Sequence, residues 1–313
     1  MKIVFLDAKT IGEDIDLSGF DALGEVVKYG FSTAQEARER SKDADVLILN
    51  KVQVNEQTIG EADHLKLVCV TATGTNNLDK EYLDKRGITW RNVAGYSTES
   101  VAQHTFAMLF YLLEKLPYYD NYVKSEKYVN DVSFTHFAKA FHELSGMTYG
   151  IIGLGNIGRR VADIAKAFGC RVIYYSTSGR NSQPGYERVS FDELLEQSDI
   201  VSIHAPLDEN TLGLMNKEAF AKMKKSAILV NVGRGPIINE ADLAEALNNK
   251  TIAAAGLDVL SVEPMQEDNP LRGIKDSERL LITPHIAWAG VEARNRLMGI
   301  ILGQIKEFFK AHE

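Results

Sequence analysis

The chain has 313 residues, of which 45% are hydrophobic and 25% charged, an ordinary globular composition long enough to predict two domains. A formal net charge of −8 argues against nucleic acid or an anionic membrane surface as partner, and no run of about 18 apolar residues is present to cross a bilayer. The two cysteines, Cys69 and Cys170, each sit beside an apolar run and read as small buried hydrophobes of a cytoplasmic protein, and no Cys/His cluster has metal-ligand spacing.

The first apolar run, Ile3 to Leu6, is broken by Asp7. It is too short for the core of a secretory signal and predicts a first strand. Further strands are expected at Ala44 to Asn50, Leu65 to Thr73 and Ile88 to Val93, with helical stretches between them, such as Leu78 to Lys85, which Gly87 stops. A long apolar helix is predicted from Thr98 to Leu116, ended by Pro117. Its face from Val101 to Leu113 needs burial on more than one side, either inside its own domain or in a homodimer through the domains that carry it. The aromatic-rich segment Tyr118 to Phe141 has no period and is expected to be irregular. Strand and helix patterns then alternate from Tyr149 to Ala287, and a last helix runs from Val291 to Phe309.

This order predicts an α/β protein of two domains with parallel sheets. A discontinuous α/β unit, residues 1–97 and 288–313, receives a second, inserted α/β unit, residues 98–287. A chain that crosses twice between domains is expected to place its active site in the cleft between them.

Gly153-Leu154-Gly155-Asn156-Ile157-Gly158 has the form G-x-G-x-x-G. The pattern alone is weak, but here it follows a strand and opens an amphipathic helix, the context a dinucleotide site requires. The first glycine allows the tight turn, and the second allows close approach to a pyrophosphate. The third packs helix on strand, and the helix N-terminus, with Asn156 and Ile157, faces the anion. The next strand normally ends in an acidic residue that binds the adenosine ribose. That position is Ser176, followed by Thr177, Ser178 and Arg180. Without a carboxylate, three hydroxyls and a cation suit a 2′-phosphate, so NAD or NADP is expected, with NADPH favoured.

Three polar residues end strands in this second half: Arg234 in NVGRG, Glu263 in LDVLSVEP and His285 in TPHIA. A cation, a carboxylate and an imidazole at one edge of a parallel sheet suit hydride chemistry on an α-keto acid.

GLGNIG, HAPL (His204 to Leu207), NVGRG, LDV with the following EP, and TPHIA together make the chain resemble the D-isomer-specific 2-hydroxyacid dehydrogenases over essentially its whole length. Phe134 to Gly146 (FTHFAKAFHELSG) and Ser176 to Asn181 (STSGRN) look closest to the glycerate dehydrogenases, also called hydroxypyruvate reductases. The resemblance implies that residues 1–97 and 288–313 form a flavodoxin-like substrate-binding domain and residues 98–287 a Rossmann-type NAD(P)-binding domain, and that Arg234 binds the substrate carboxylate and keto oxygen, which a lysine could not imitate. It implies that His285 exchanges the proton and that Glu263 orients its imidazole and favours its charged form. Asp258 would help place the nicotinamide carboxamide, with Val232 and Gly233 on the cofactor and Ala205 and Pro206 walling the nicotinamide. Thr73 and Gly74 would offer backbone N–H groups to the substrate carboxylate. Lys51 could favour an acidic substrate, or simply be solvated.

The remaining histidines, His64, His104, His136 and His142, lack a paired carboxylate at a strand end and are expected to be structural. His136 and His142 lie in the irregular segment, which could cross to the other subunit. The chain stops soon after its terminal helix, so the regulatory domain of many phosphoglycerate dehydrogenases is not expected. The expected substrate is a small 2-keto acid such as hydroxypyruvate or glyoxylate. A larger or phosphorylated 2-hydroxy acid, or a cofactor-sensing scaffold like the family's corepressors, are the alternatives.

Overall fold

Short runs of aliphatic and β-branched residues form two parallel sheets in the computed structural model, which describes residues 1–180 and 182–311. Asn181, the last residue of the STSGRN turn, lies outside the described residues. The chain divides into two units, Met1–Ser97 with Ala289–Glu313, and Thr98–Trp288.

In the first unit β1 (Lys2–Phe5), β2 (Glu25–Lys28), β3 (Val46–Leu49), β4 (Leu67–Val70) and β5 (Thr89–Arg91) pair in the order β2-β1-β3-β4-β5. Every pair is parallel, and the order is the flavodoxin-like one. The central strands VLIL and LVCV are buried along their whole length, as a sheet covered on both faces requires. The covering helices are α1 (Ala34–Ser41), α2 (Glu56–Ile59) and α3 (Lys80–Lys85). Thr33 and Glu36 form a reciprocal capping box on α1, and Asn55 and Asp79 cap the other two. β2 was not among the expected strands. Its sequence, EVVK, has two apolar residues and lies half-exposed at the sheet edge.

The second unit opens with α4 (Thr98–Leu113) and α5 (Leu116–Lys124). This corrects two expectations. The long helix stops at Leu113, where Lys115 turns left-handed (φ 55°), and Pro117 sits in the first turn of a new helix instead of ending the old one. Residues 118–124, expected to be irregular, are therefore helical. The apolar face of α4 is internal to its own unit: Met108 and Leu112 lie against Gly256, and Phe106 packs on Tyr149 and Phe168. That face accordingly gives no support to a dimer.

The chain continues through β6 (Thr148–Ile152), α6 (Asn156–Ala167), β7 (Arg171–Tyr175), β8 (Glu187–Arg188), α7 (Phe191–Gln197), β9 (Ile200–Ile203), α8 (Lys217–Lys222), β10 (Ile228–Asn231), α9 (Glu240–Asn248), β11 (Ala254–Leu257) and β12 (Leu280–Ile282). The strands lie in the order β12-β11-β10-β9-β6-β7-β8, parallel throughout. Counted from β6 this is the Rossmann order 3-2-1-4-5-6 with a seventh strand added. The chain then returns to the first unit as α10 (Val291–Lys310). There the Arg294 guanidinium spans the Asp14 carboxylate, with Nη2 2.8 Å from Oδ2, and Arg91 reaches the Gln304 carbonyl. Among the described residues no helix is long and apolar enough to cross a membrane.

Candidate active site

Strand order in the second sheet reverses between β6 and β9, and such a reversal opens a crevice at the carboxyl ends of the strands. The glycine loop leaves β6 at this point. Gly153 has φ 91°, and a Cβ there would lie 2.8 Å from the backbone of Ala205 after β9, so only glycine lets the two loops meet. A Cβ on Gly158 would stand 2.3 Å from the Gly153 carbonyl oxygen, which is how closely α6 seats on its strand. At Gly155 a Cβ would meet nothing within 4 Å, so the loop faces open space. Gly155 is also the cap of α6 and has no side chain to accept from the first turn. The leading N–H groups of a twelve-residue helix, at Asn156 and Ile157, thus remain available to an anion. These features fit a dinucleotide pyrophosphate.

After β7 the Ser176 side chain is buried, while Ser178 and Arg180 are exposed. The turn closes through Gly179 N–H to the Ser176 carbonyl (3.1 Å). Arg188, on β8, brings Nη2 to 3.9 Å from the place of a Cβ at Gly179. This second guanidinium beside the turn was not foreseen, because only folding brings β8 back to it.

The loops after β10, β11 and β12 carry the three catalytic candidates. Asn231 is fully buried; its Oδ1 accepts from Gly233 N–H (3.0 Å) and its Nδ2 donates to the Arg234 carbonyl (3.0 Å). The turn presenting Arg234 is therefore clamped by its own preceding residue. Val232 is buried, and a Cβ at Gly233 would sit 3.2 Å from the carbonyl oxygens of Ile203 and Ala205. Gly235 lies directly on the Leu260–Ser261 backbone, which ties the Arg234 turn to the segment bearing Glu263. Glu263 Oε1 accepts from Leu260 N–H (2.9 Å), and Oε2 stands 2.7 Å from His285 Nδ1. With Nδ1 committed to the carboxylate, His285 keeps Nε2 for another partner. His285 itself is left-handed, φ 55°, a conformation uncommon outside glycine.

Asp258 is only 1% exposed. Its Oδ1 accepts from Thr283 Oγ1 (2.6 Å) and Ile286 N–H (2.9 Å), and Oδ2 from Ala287 N–H (2.8 Å). Whatever else it does, Asp258 holds the loop on which His285 rides. Pro206 is exposed and Ala205 buried. His204 bonds Ser202 Oγ through Nε2 (2.9 Å), while its Nδ1 is buried without a hydrogen-bond partner. Burial pushes its pKa down to about 3, so this ring is neutral and unsuited to donating a proton near neutral pH. His136 stacks on Tyr122 (ring centroids 3.7 Å apart) and meets Tyr118 Oη at 2.9 Å; it belongs to a tyrosine cluster. His64 and His142 are exposed.

In the first unit, the Lys51 side chain is exposed, and its loop is held by side-chain hydrogen bonds from both sides. Asp7 accepts from the N–H groups of Asn50, Lys51 and Val52, and Asn77 Nδ2 donates to the carbonyls of Asn50 and Val52. Thr73 Oγ1 donates to the Val93 carbonyl (2.9 Å), and Asn92 Nδ2 to the Thr73 carbonyl, which fixes the backbone leading to Gly74. Among the described residues no group of three or more His, Cys, Asp or Glu is placed to hold a metal ion.

The sequence profile of the NAD binding domain of D-isomer specific 2-hydroxyacid dehydrogenases matches residues 106–287. A hydroxypyruvate reductase of Blautia hydrogenotrophica is 38% identical over 319 residues, covering 99% of this chain and 97% of its own. A glycerate dehydrogenase of Methylorubrum extorquens is 33% identical, covering 98% and 96%. Among solved structures, the D-lactate dehydrogenase of Aquifex aeolicus, complexed with NAD and lactic acid, superimposes with a TM-score of 0.85 at 27% identity, covering 99% of this chain and 96% of its own.

Proposed function

Since this chain belongs to the D-isomer specific 2-hydroxyacid dehydrogenase family and is a nicotinamide-dependent dehydrogenase of small 2-hydroxy and 2-keto acids, we propose that His285, oriented by Glu263, exchanges the proton in its reaction. The observation that carries this reading is the 2.7 Å contact between His285 Nδ1 and Glu263 Oε2, made at the same sheet edge as the glycine loop. A nicotinamide coenzyme, when bound, would supply hydride for the keto carbon, or accept it in the reverse direction. His285 Nε2–H then gives its proton to the keto oxygen, and in reverse the neutral ring takes the hydroxyl proton. Arg234 binds the substrate carboxylate and keto oxygen through its planar fork. Asp258, Val232, Gly233, Ala205 and Pro206 would adjoin the nicotinamide, and Gly153, Gly155, Asn156, Ile157 and Gly158 would hold the pyrophosphate. In the first unit Lys51 and the Thr73–Gly74 backbone are assigned to the acidic substrate.

Hydroxypyruvate and glyoxylate, reduced to D-glycerate and glycolate, are the proposed substrates; the names of the relatives support them. NADPH is placed ahead of NADH. Ser176 stands where a carboxylate would repel a 2′-phosphate, and Arg180 is exposed beside Thr177 and Ser178, with Arg188 near. A homodimer is supported by the exposed apolar side chains of Val129, Val132, Phe134 and Phe137 after α5, and a cytoplasmic location by two free, buried cysteines.

Initial rates with both coenzymes against hydroxypyruvate, glyoxylate, pyruvate and branched keto acids test the assignment. Turnover confined to branched substrates would overturn it. A preference for NADH that survives Arg180→Ala would end the coenzyme proposal. A monomer by light scattering at micromolar concentration would end the dimer.

A further inference from the structure

His104 was expected to be structural, and nothing in the reaction above uses it. It stands on α4 one turn after Ser100, so both side chains lie on one face of the helix. Ser100 Oγ donates to the Ala287 carbonyl at 2.6 Å. His104 Nε2 lies 3.1 Å from Thr283 Oγ1 and 3.5 Å from Asp258 Oδ1. These two contacts grip the two ends of residues 283–287, the loop that carries His285.

The directions of the bonds follow from the chemistry of the groups. Asp258 Oδ1 accepts from Thr283 Oγ1 and Ile286 N–H, and Oδ2 accepts from Ala287 N–H. Thr283 therefore spends its single hydroxyl proton on Asp258 and has only lone pairs left for His104. His104 must donate, through Nε2–H. The relay runs from the His104 ring through the Thr283 hydroxyl to the Asp258 carboxylate, and from there to the backbone N–H groups of Ile286 and Ala287 that follow His285. His285 N–H also donates to the Asp258 carbonyl at 2.8 Å. A left-handed histidine persists only where its surroundings over-determine the backbone, and this relay, anchored on a packed helix, supplies that constraint.

We propose that His104 is a positioning residue for proton transfer, bracing the His285 loop through Thr283 and Asp258 so that the imidazole keeps its line to Glu263 and to the substrate oxygen. The inference rests on the assignment of His285 as the proton-exchanging group.

The test compares His104→Leu with His104→Gln, whose amide nitrogen can replace Nε2 as donor. Rates are expressed per coenzyme-binding site, counted by NADPH fluorescence titration. His104→Leu should lower kcat for hydroxypyruvate reduction about tenfold or more, the scale on which small misplacements act. Coenzyme affinity should stay unchanged, and the solvent isotope effect on kcat should rise as proton transfer becomes limiting. His104→Gln should recover kcat to within about threefold. A merely structural role would lower the melting temperature without changing kcat per site or the isotope effect. Equal kcat in the His104→Leu variant and the wild type, or a His104→Gln variant no better than His104→Leu, overturns the proposal. Should His104→Leu fail to fold, Thr283→Val against Thr283→Ser decides by the same criteria. A wild-type protein that turns over no 2-keto acid with either coenzyme would instead refute the catalytic assignment itself.

Discussion

Replacing Glu263 by glutamine changes one oxygen to an amide nitrogen in a side chain whose two ends are both committed. Oε1 accepts from Leu260 N–H at 2.9 Å and Oε2 faces His285 Nδ1 at 2.7 Å. Glutamine cannot serve both. If its oxygen keeps Leu260, its NH2 faces Nδ1, which must then be a bare acceptor; the ring is held neutral with its proton on Nε2. Such a ring is a poor acid for reduction and has no lone pair at Nε2 for oxidation. If the amide flips, the NH2 confronts the Leu260 N–H and one donor goes unsatisfied. Either way a hydrogen bond to a charged group is lost, worth about 1.5–3 kcal/mol, which corresponds to roughly a ten- to hundredfold fall in kcat. Glu263→Gln is nearly isosteric, and the glycine loop lies on other strands, so coenzyme affinity should not change. Stopped-flow and steady-state rates in both directions, with coenzyme binding followed by fluorescence, measure each part. A Glu263→Gln enzyme retaining more than half of wild-type kcat in both directions would refute the pairing as a catalytic device.

Gly158→Ala should cost about 1–3 kcal/mol by overpacking against the Gly153 carbonyl oxygen, 2.3 Å from the new methyl; calorimetry should show the melting temperature lowered by roughly 3–10 °C, and an unchanged value would contradict the packing. Burial pushes the Cys69 thiol up to about 12 and Cys170 up to about 11, so neither should react with a disulfide reagent in native protein at pH 8, whereas both should after unfolding; rapid native labelling would refute this. His204 titrates near 3 when folded but near 6.5 when unfolded. Between those values the unfolded chain binds a proton that the native one refuses, so this contribution is fully present above about pH 6.5 and declines as pH falls, by up to about 1.4 kcal/mol per pH unit. Urea unfolding at pH 7.5, 6 and 5 should show a shallower decline in His204→Gln, and identical slopes would count against it.

Much of the architecture is legible in the chain because parallel strands covered on both faces are buried end to end and so mostly apolar: VLIL, LVCV, IVSI and ILVN announce themselves. β2 and β8 do not, because edge strands bury one face or less, so EVVK and ER carry too little apolar signal. Pro117 misleads for a related reason, since a proline that forbids the helix interior is welcome in the first turn. The site divides in the same way. The glycine loop, Arg234, Glu263 and His285 belong to short motifs in which chemistry dictates the residue type, so each can be named from its neighbours. The Asn231 clamp was also within reach, because an Asn that accepts from the N–H two residues ahead is a local Asx turn. Ser100 and His104 were not, since their partners lie 187 and 179 residues away. Their side chains answer to geometry that exists only once α4 has docked on the sheet, and a serine or histidine on an amphipathic helix has many tolerable fates. A group that reacts is therefore marked locally by the chemistry it must do. A group that holds the reacting one in place is marked only by its partner, and that partner becomes visible when the chain has folded.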